Sequence, residues 1–217
     1  MPALIFDLDG TITDSKPGIL GCLRKVIDAR GIGDQGDLER FIGPPVEDWV
    51  VELLPNGSSV DHAALASEYR ACYDREGWCN NSVFAGVREM LVELREQGFT
   101  LYLCTSKVQH FAVRILDRFG LSTVFTAVYG DKAEYTSHSK IDLLARLLRE
   151  QSLDRATTWM IGDRSFDIDA ANANNLRCLA AGWGYGSPAE YAEADAVAAT
   201  PADVPALVLP QIQTRTL

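Results

Sequence analysis

The run Ala3-Leu4-Ile5-Phe6 is apolar throughout, and Asp7, Asp9, Gly10 and Thr11 follow it at once. A short run with no polar alternation predicts a strand covered on both faces, as in a parallel sheet. That strand runs straight into two carboxylates at i and i+2. Buried carboxylates are costly unless charge or hydrogen bonds compensate them, so this strand end calls for a compensating partner. An Asp-Gly turn explains the dipeptide alone. It does not explain the whole Asp7-Leu8-Asp9-Gly10-Thr11 run directly after a buried strand.

Beyond Asp14 the pattern turns helical. Pro17 suits the first helical position, and Ile19, Leu23, Val26 and Ile27 follow at helical spacing until Gly31 and Gly33. A second short helix is expected over Leu38, Phe41 and Ile42, closed by Gly43-Pro44-Pro45. A third carries Val46, Trp49, Val50, Leu53 and Leu54 up to Pro55-Asn56-Gly57, and a fourth runs from about Asp61 to near Gly77. From Val83 onward helices and strands alternate. Strands are expected at Phe99–Cys104, around Phe125–Tyr129, at Thr157–Ile161 and Leu176–Ala180, with a last helix from Ser187-Pro188 and an edge strand near Ala194–Ala198. Such alternation implies a parallel sheet covered on both faces. The expected fold is α/β: a doubly wound, Rossmann-like core over residues 1–14 and 83–217, with a helical cap inserted at 15–82. Ser15-Lys16 and Asn80-Asn81-Ser82 are candidate hinges.

In open α/β sheets, ligands bind at the carboxyl ends of the strands. Asp7 and Asp9 follow the first expected strand, Thr105 and Ser106 the second, and Asp163 the Thr157–Ile161 strand. Each taken singly has a plainer reading as a helix cap or a turn. Their joint occurrence in this order points to one polar site.

Asp7-Leu8-Asp9-Gly10-Thr11 resembles the first motif of the haloacid dehalogenase (HAD) superfamily of phosphotransferases. The resemblance covers essentially the whole chain. Thr105 resembles the hydroxyl of the second motif, Lys140 the lysine of the third, and Gly162-Asp163-Arg164-Ser165-Phe166-Asp167 the GDxxxD form of the fourth. It implies that Asp7 is the nucleophile and Asp9 the general acid/base, and that Thr105, Ser106 and Lys140 bind the phosphate. It also implies Mg²⁺ on the Asp7 carboxylate, the Asp9 backbone carbonyl and the Asp163 carboxylate, with Asp167 orienting Lys140 or a metal-bound water. Family members that dehalogenate or cleave phosphonates lack an Asp where Asp9 stands, so the resemblance favours a phosphatase. Thr105-Ser106-Lys107, the GDRxxD run and Phe41-Ile42-Gly43-Pro44-Pro45 resemble the phosphoglycolate phosphatase/5′-nucleotidase-like branch. One departure is Phe84-Ala85-Gly86-Val87, where that branch usually has a proline before the glycine. The stiff Gly43, Pro44 and Pro45 turn is a candidate specificity element.

The chemistry suits these residue types. A carboxylate nucleophile divides hydrolysis into two easier displacements through an aspartyl-phosphate, and a neighbouring acid/base serves both. A net charge of −10 argues against a nucleic acid polymer as partner. A small phosphorylated metabolite then needs local positive charge, which Lys140 and Mg²⁺ would supply. A phosphomutase is an alternative that would want more basic cap residues. A receiver-type phosphoacceptor domain is another, but a helical insert directly after the first strand counts against it. Gly182, Gly184 and Gly186 lack dinucleotide-binding spacing, and His62, His110 and His138 lack ligand spacing, although His138 stands two residues before Lys140. Five scattered cysteines without a CxxC pair fit a reduced, cytoplasmic protein. No apolar run is long enough to cross a membrane, and a core strand so near the first residue predicts no secretory signal. No feature fixes the oligomeric state, monomer or dimer.

Overall fold

The computed structural model describes residues 2–44, 46–54, 61–131 and 139–209. The chain divides into two compact units, Met1–Thr13 with Val83–Leu217, and Asp14–Ser82. It crosses between them at two-residue strands, Thr13–Asp14 and Ser82–Val83.

The larger unit is a six-stranded parallel sheet flanked by helices, among them α4 (Val87–Glu96) and α5 (Gln109–Arg118). Its strands are β1 (Ala3–Phe6), β2 (Thr100–Val108), β3 (Ala127–Asp131), β4 (Thr158–Gly162), β5 (Arg177–Ala181) and β6 (Ala196–Ala198), in the spatial order β3-β2-β1-β4-β5-β6. This is the doubly wound order, whose direction reverses between β1 and β4. The all-apolar β1 takes the centre because both of its edges and both of its faces are covered there. Phe6 stands opposite Leu103 of β2 and Ile161 of β4, so the residues after them are neighbours at the carboxyl end of β1.

Alternate residues supply opposite faces of the sheet. Ala3, Ile5, Tyr102, Cys104, Met160 and Cys178 form one buried cluster with Leu143, Leu144, Leu147 and Leu148 of α6 (Lys140–Glu150) and with Ile168, Ala170 and Ala171 of α7 (Ser165–Ala173). Four leucines in pairs along α6 make its apolar stripe. The docking of α6 and α7 fixes where their N-termini, Lys140 and Ser165, stand.

The smaller unit is built on α1 (Lys16–Ala29), α2 (Val46–Leu53) and α3 (His62–Arg75). Asp61 caps α3 by accepting from Ala63 N at 2.9 Å. Phe41, Trp49, Tyr69 and Tyr73 form a chain of ring contacts with centroids 5.0–6.0 Å apart, in the range where aromatic pairs attract. Pro17 is the second residue of α1, because Lys16 already begins the helix.

Several expected elements differ. The helix expected over Leu38–Ile42 is a single 3₁₀ turn, Glu39–Phe41. Gly36 and Gly43 lie on either side of it with φ of +64° and +109°, and too few residues remain between them for a longer helix. The helix expected from Ser187 is likewise a 3₁₀ turn, Glu190–Glu193. Asp195 N is already committed to Cys178 O at the start of β6, which stops it. β3 begins at Ala127 rather than Phe125, whose ring packs edge-on against Phe6 at 6.3 Å. A C-terminal helix, Val204–Val208, was not anticipated. Thr200 and Asp203 announce the turn before it, with Thr200 N and Oγ1 both donating to Asp203 Oδ2 at 2.8 and 2.9 Å. Pro45, the Pro55-Asn56-Gly57 stop and His138 lie outside the described residues. No helix among the described residues is long and apolar enough to cross a membrane.

Leu147 is fully buried between α6 and the sheet, one to two turns from Lys140. Leu147→Ala is expected to lower unfolding stability by about 3 kcal/mol through lost burial and the cavity left behind. Urea denaturation measures the loss.

Candidate active site

Because Phe6, Leu103 and Ile161 stand side by side in the sheet, the residues that follow them emerge together. Asp7 is anchored by its own N–H, which donates to Ile161 O of β4 at 2.9 Å. Asp163 follows Gly162, and Asp167 lies in the first turn of α7. Carboxylate oxygens of Asp7, Asp163 and Asp167 lie within 4.8 Å of one another, and all three residues are buried.

One ammonium serves this cluster directly. Lys140 Nζ lies 2.8 Å from Asp7 Oδ1 and 2.5 Å from Asp167 Oδ1, an ion-pair bridge between β1 and α7. Ser139 Oγ caps α6 by accepting from Asp142 N at 3.2 Å, which sets the helix start that aims Lys140 inward. Asp167 Oδ2 accepts from Arg164 N at 3.1 Å, so the carboxylate is fixed from both sides. Asp163 is held by Thr11 Oγ1 donating to Oδ1 at 3.3 Å and by Tyr185 N donating to Oδ2 at 2.8 Å.

Electrostatics follow from burial. Burial pushes the Asp7 carboxyl up to about 6; Lys140 works against this, while Asp167 and Asp9 add to it. Asp163 is raised well above its ordinary value by burial first, then by Asp167 and Asp7. Burial would discharge Lys140, but Asp167 and Asp7 together outweigh it, and its pKa is raised. Three carboxylates around one ammonium leave the cluster short of positive charge. An all-oxygen donor set with that deficit fits a hard divalent cation.

The remaining expected residues fall as follows. Thr105 is buried and accepts from Lys107 N at 3.2 Å through its Oγ1, which leaves its hydroxyl proton to donate elsewhere. Ser106 is half-buried on the same strand. The Asp9 side chain stands apart from the acidic triad and pairs with Lys107, Nζ to Oδ2 at 2.9 Å. Gly43, exposed, and Pro44, half-buried, belong to the smaller unit between the Glu39–Phe41 turn and α2.

Sequence reasoning gave no role to Lys107, Thr11 or the Gly182–Gly186 loop. Lys107 had a signal. It stands in the same polar run as Thr105 and Ser106 at this strand end. The glycines serve close packing around Asp163. Gly10 has a φ of +84°, and a Cβ there would lie 2.1 Å from Asp163 Oδ2. A Cβ on Gly184 would lie 2.3 Å from Asp163 Cβ.

A family profile described as haloacid dehalogenase-like hydrolase matches residues 4–181. The chain belongs to this family. Among HAD-like relatives, it is 38% identical over 185 residues to the tyrosine-protein kinase PtkA of Mycobacterium tuberculosis, a match covering 84% of the chain and 62% of that protein. The chain thus spans less than two thirds of the length of that relative. It is 35% identical over 191 residues to a 5′-nucleotidase of Pseudomonas aeruginosa, covering 87% of the chain and 86% of the nucleotidase. Among solved HAD-like structures, a predicted phosphatase from Clostridium acetobutylicum superposes with a TM-score of 0.88 at 28% identity, over 96% of this chain and 98% of that one.

Removing the bridging ammonium tests the electrostatic account. Lys140→Met leaves Asp7 and Asp167 buried without their partner, and in chelator the expected cost is about 3–5 kcal/mol by urea denaturation. Adding Asp167→Asn should recover part of that loss. A double variant no more stable than Lys140→Met would contradict the charge balance described.

Proposed function

We propose that this HAD-like chain is a Mg²⁺-dependent phosphatase that hydrolyses a small phosphate monoester through a phosphorylated Asp7. The observation that carries this reading is the Asp7–Lys140–Asp167 bridge, with Asp163 beside it, at the carboxyl edge of the sheet. The Asp7 and Asp163 carboxylates and the Asp9 backbone carbonyl would hold the ion. When bound, it supplies the positive charge that a phosphate dianion needs among these carboxylates.

Asp7 attacks phosphorus and becomes the acyl phosphate. Asp9 passes a proton to the departing ester oxygen and later takes one from the attacking water. The Thr105 hydroxyl and the half-buried Ser106 donate to phosphoryl oxygens, where preorganised donors contribute most to catalysis. Lys140 holds Asp7 in line, and Asp167 holds Lys140. A phosphoglycolate-like or nucleotide-like ester suits this reading, which the nucleotidase relative supports. The Gly43-Pro44 stretch is our candidate for leaving-group selection.

A second reading draws on the PtkA relative, whose name describes a tyrosine-protein kinase. There the phosphoryl group would pass to a tyrosine hydroxyl instead of water. The two readings share Asp7 and part at the acceptor.

The deciding experiment incubates the protein with a panel of small phosphate esters, and separately with a nucleoside triphosphate plus a tyrosine-containing protein. Release of inorganic phosphate from esters supports the phosphatase, and label on tyrosine supports the second reading. Asp7→Asn should lower either activity by about a thousandfold or more while the fold persists, as losses of a covalent nucleophile do. Chelator should abolish turnover and Mg²⁺ restore it. Mg²⁺ should also raise the melting temperature of stripped protein, with about 2.7 kcal/mol gained at a hundredfold excess over Kd. Asp163→Asn should erase that shift. Full activity in excess chelator would refute the metal assignment.

A further inference from the structure

We propose that Lys107 is a positioning residue for Asp9, gripping one carboxylate oxygen so that the other is presented to the leaving group. The inference rests on the phosphatase reading above and adds a residue to it.

Among the described residues, two lysines at this end of the sheet divide between the carboxylates. Lys140 bridges Asp7 and Asp167, whereas Lys107 Nζ lies 2.9 Å from Asp9 Oδ2. Both members of the Lys107–Asp9 pair are largely buried, with side chains 7% and 12% exposed. Solvent screening there is weak, and a charge pair of this kind fixes a rotamer. Asp9 Oδ1 is buried and has no hydrogen-bond partner among the described residues. Such an orphaned oxygen in a native site calls for an explanation. One oxygen is held and its twin is kept open, the division of labour expected of a carboxyl that must exchange a proton with a bound reactant.

The backbone of β2 is shaped to deliver Lys107 there. β2 runs past the end of β1, and its register with β3 shifts between Cys104 and Val108. Irregularities of this kind re-aim side chains next to active sites. Lys107 N donates to Thr105 Oγ1 at 3.2 Å, which ties the lysine's backbone to a proposed phosphate-binding residue. On β3, a Cβ at Gly130 would lie 2.7 Å from Lys107 O, so the absence of a side chain there admits the shifted strand.

The step in which Lys107 acts is the proton exchange at Asp9. In the first displacement an Asp7 oxygen bonds to phosphorus, and the ester P–O bond breaks with its electron pair on the leaving oxygen. That oxygen takes the proton from Asp9 and departs as the alcohol. In the second, a water oxygen bonds to phosphorus and gives a proton back to Asp9, and the Asp7–phosphorus linkage breaks with its pair on Asp7. Lys107 keeps its protons throughout and determines where the Asp9 oxygen stands.

The test compares leaving groups. A primary alkyl phosphate needs its leaving oxygen protonated, whereas p-nitrophenyl phosphate departs with little help. Lys107→Met is expected to lower kcat on the alkyl ester by about a hundredfold, the scale of one positioned acid/base. On the aryl ester the loss should be about fivefold or less, with KM on both nearly unchanged. Lys107→Arg should restore most of the alkyl-ester rate, and Lys107→Gln repeats the comparison if the methionine variant fails to fold. Asp9→Asn should show the same leaving-group pattern, and adding Lys107→Met to it should cost nothing further. An equal fall on both esters would make Lys107 scaffolding. A raised KM with kcat intact would make it a substrate contact, and a multiplicative double variant would separate it from Asp9. Each of these outcomes overturns the proposal while wild type and the Asp7→Asn control still uphold the phosphatase. A wild type that turns over no ester overturns both.

Discussion

The ammonium of Lys140, 2.8 Å from Asp7 and 2.5 Å from Asp167, is what permits three carboxylates to share the buried edge of this sheet. Coulomb attraction strengthens as solvent is excluded, but so does the penalty for each charge left uncompensated. Among the described residues one cation among three anions does not close that account, and burial, reinforced by the neighbouring carboxylates, drives Asp7 and Asp163 toward their neutral forms. The remaining imbalance is useful. In the proposed scheme it is what receives a further cation and, through it, a phosphate.

Much of the surrounding structure serves to hold that arrangement still. Asp163 draws hydrogen bonds from Thr11 and Tyr185, two segments far apart in sequence. Trp183 Nε1 donates to Thr11 O at 3.0 Å, so the glycine loop and the β1 turn are tied twice. Glu190 accepts from Arg164 Nε at 2.8 Å and from Ser165 N at 3.2 Å, bracing the start of α7 from the opposite side. Asp163 directly, and Asp167 through the start of α7, are thus held by groups that contact no substrate in the proposed scheme.

The sheet was legible in the sequence because β1, β4 and the first part of β2 are apolar runs with polar exits, and β5 is an apolar run closed by a glycine. The strand-end positions of Asp7, Thr105 and Asp163 followed from the same pattern. Elements governed by few residues were harder to read. Leu38, Phe41 and Ile42 have helical spacing, yet positive-φ glycines on both sides leave room for a single turn. Phe125 has strand-like neighbours, but its ring is spent on Phe6 ahead of the strand. Val204–Val208 hid behind two prolines, although Thr200 and Asp203 give a capping signature. The Lys107–Asp9 pair depends on a register shift in β2, which no local propensity encodes. Gly184 was dismissed on its spacing, since its purpose appears only once Asp163 is packed against it.

The central place of β1 also has a consequence for how the molecule is made. β1 is synthesised well before β4, its partner on one side, which comes from far downstream; Thr11 and Asp163 are 152 residues apart. At ribosomal speeds of about 5–20 residues per second, the delay is roughly ten to thirty seconds. Throughout that interval the most apolar strand of the protein has one edge unpaired, the condition that favours wrong association. The carboxylates that close β1 then act as gatekeepers for the nascent chain, because a strand ending in two charges is a poor template for stacking.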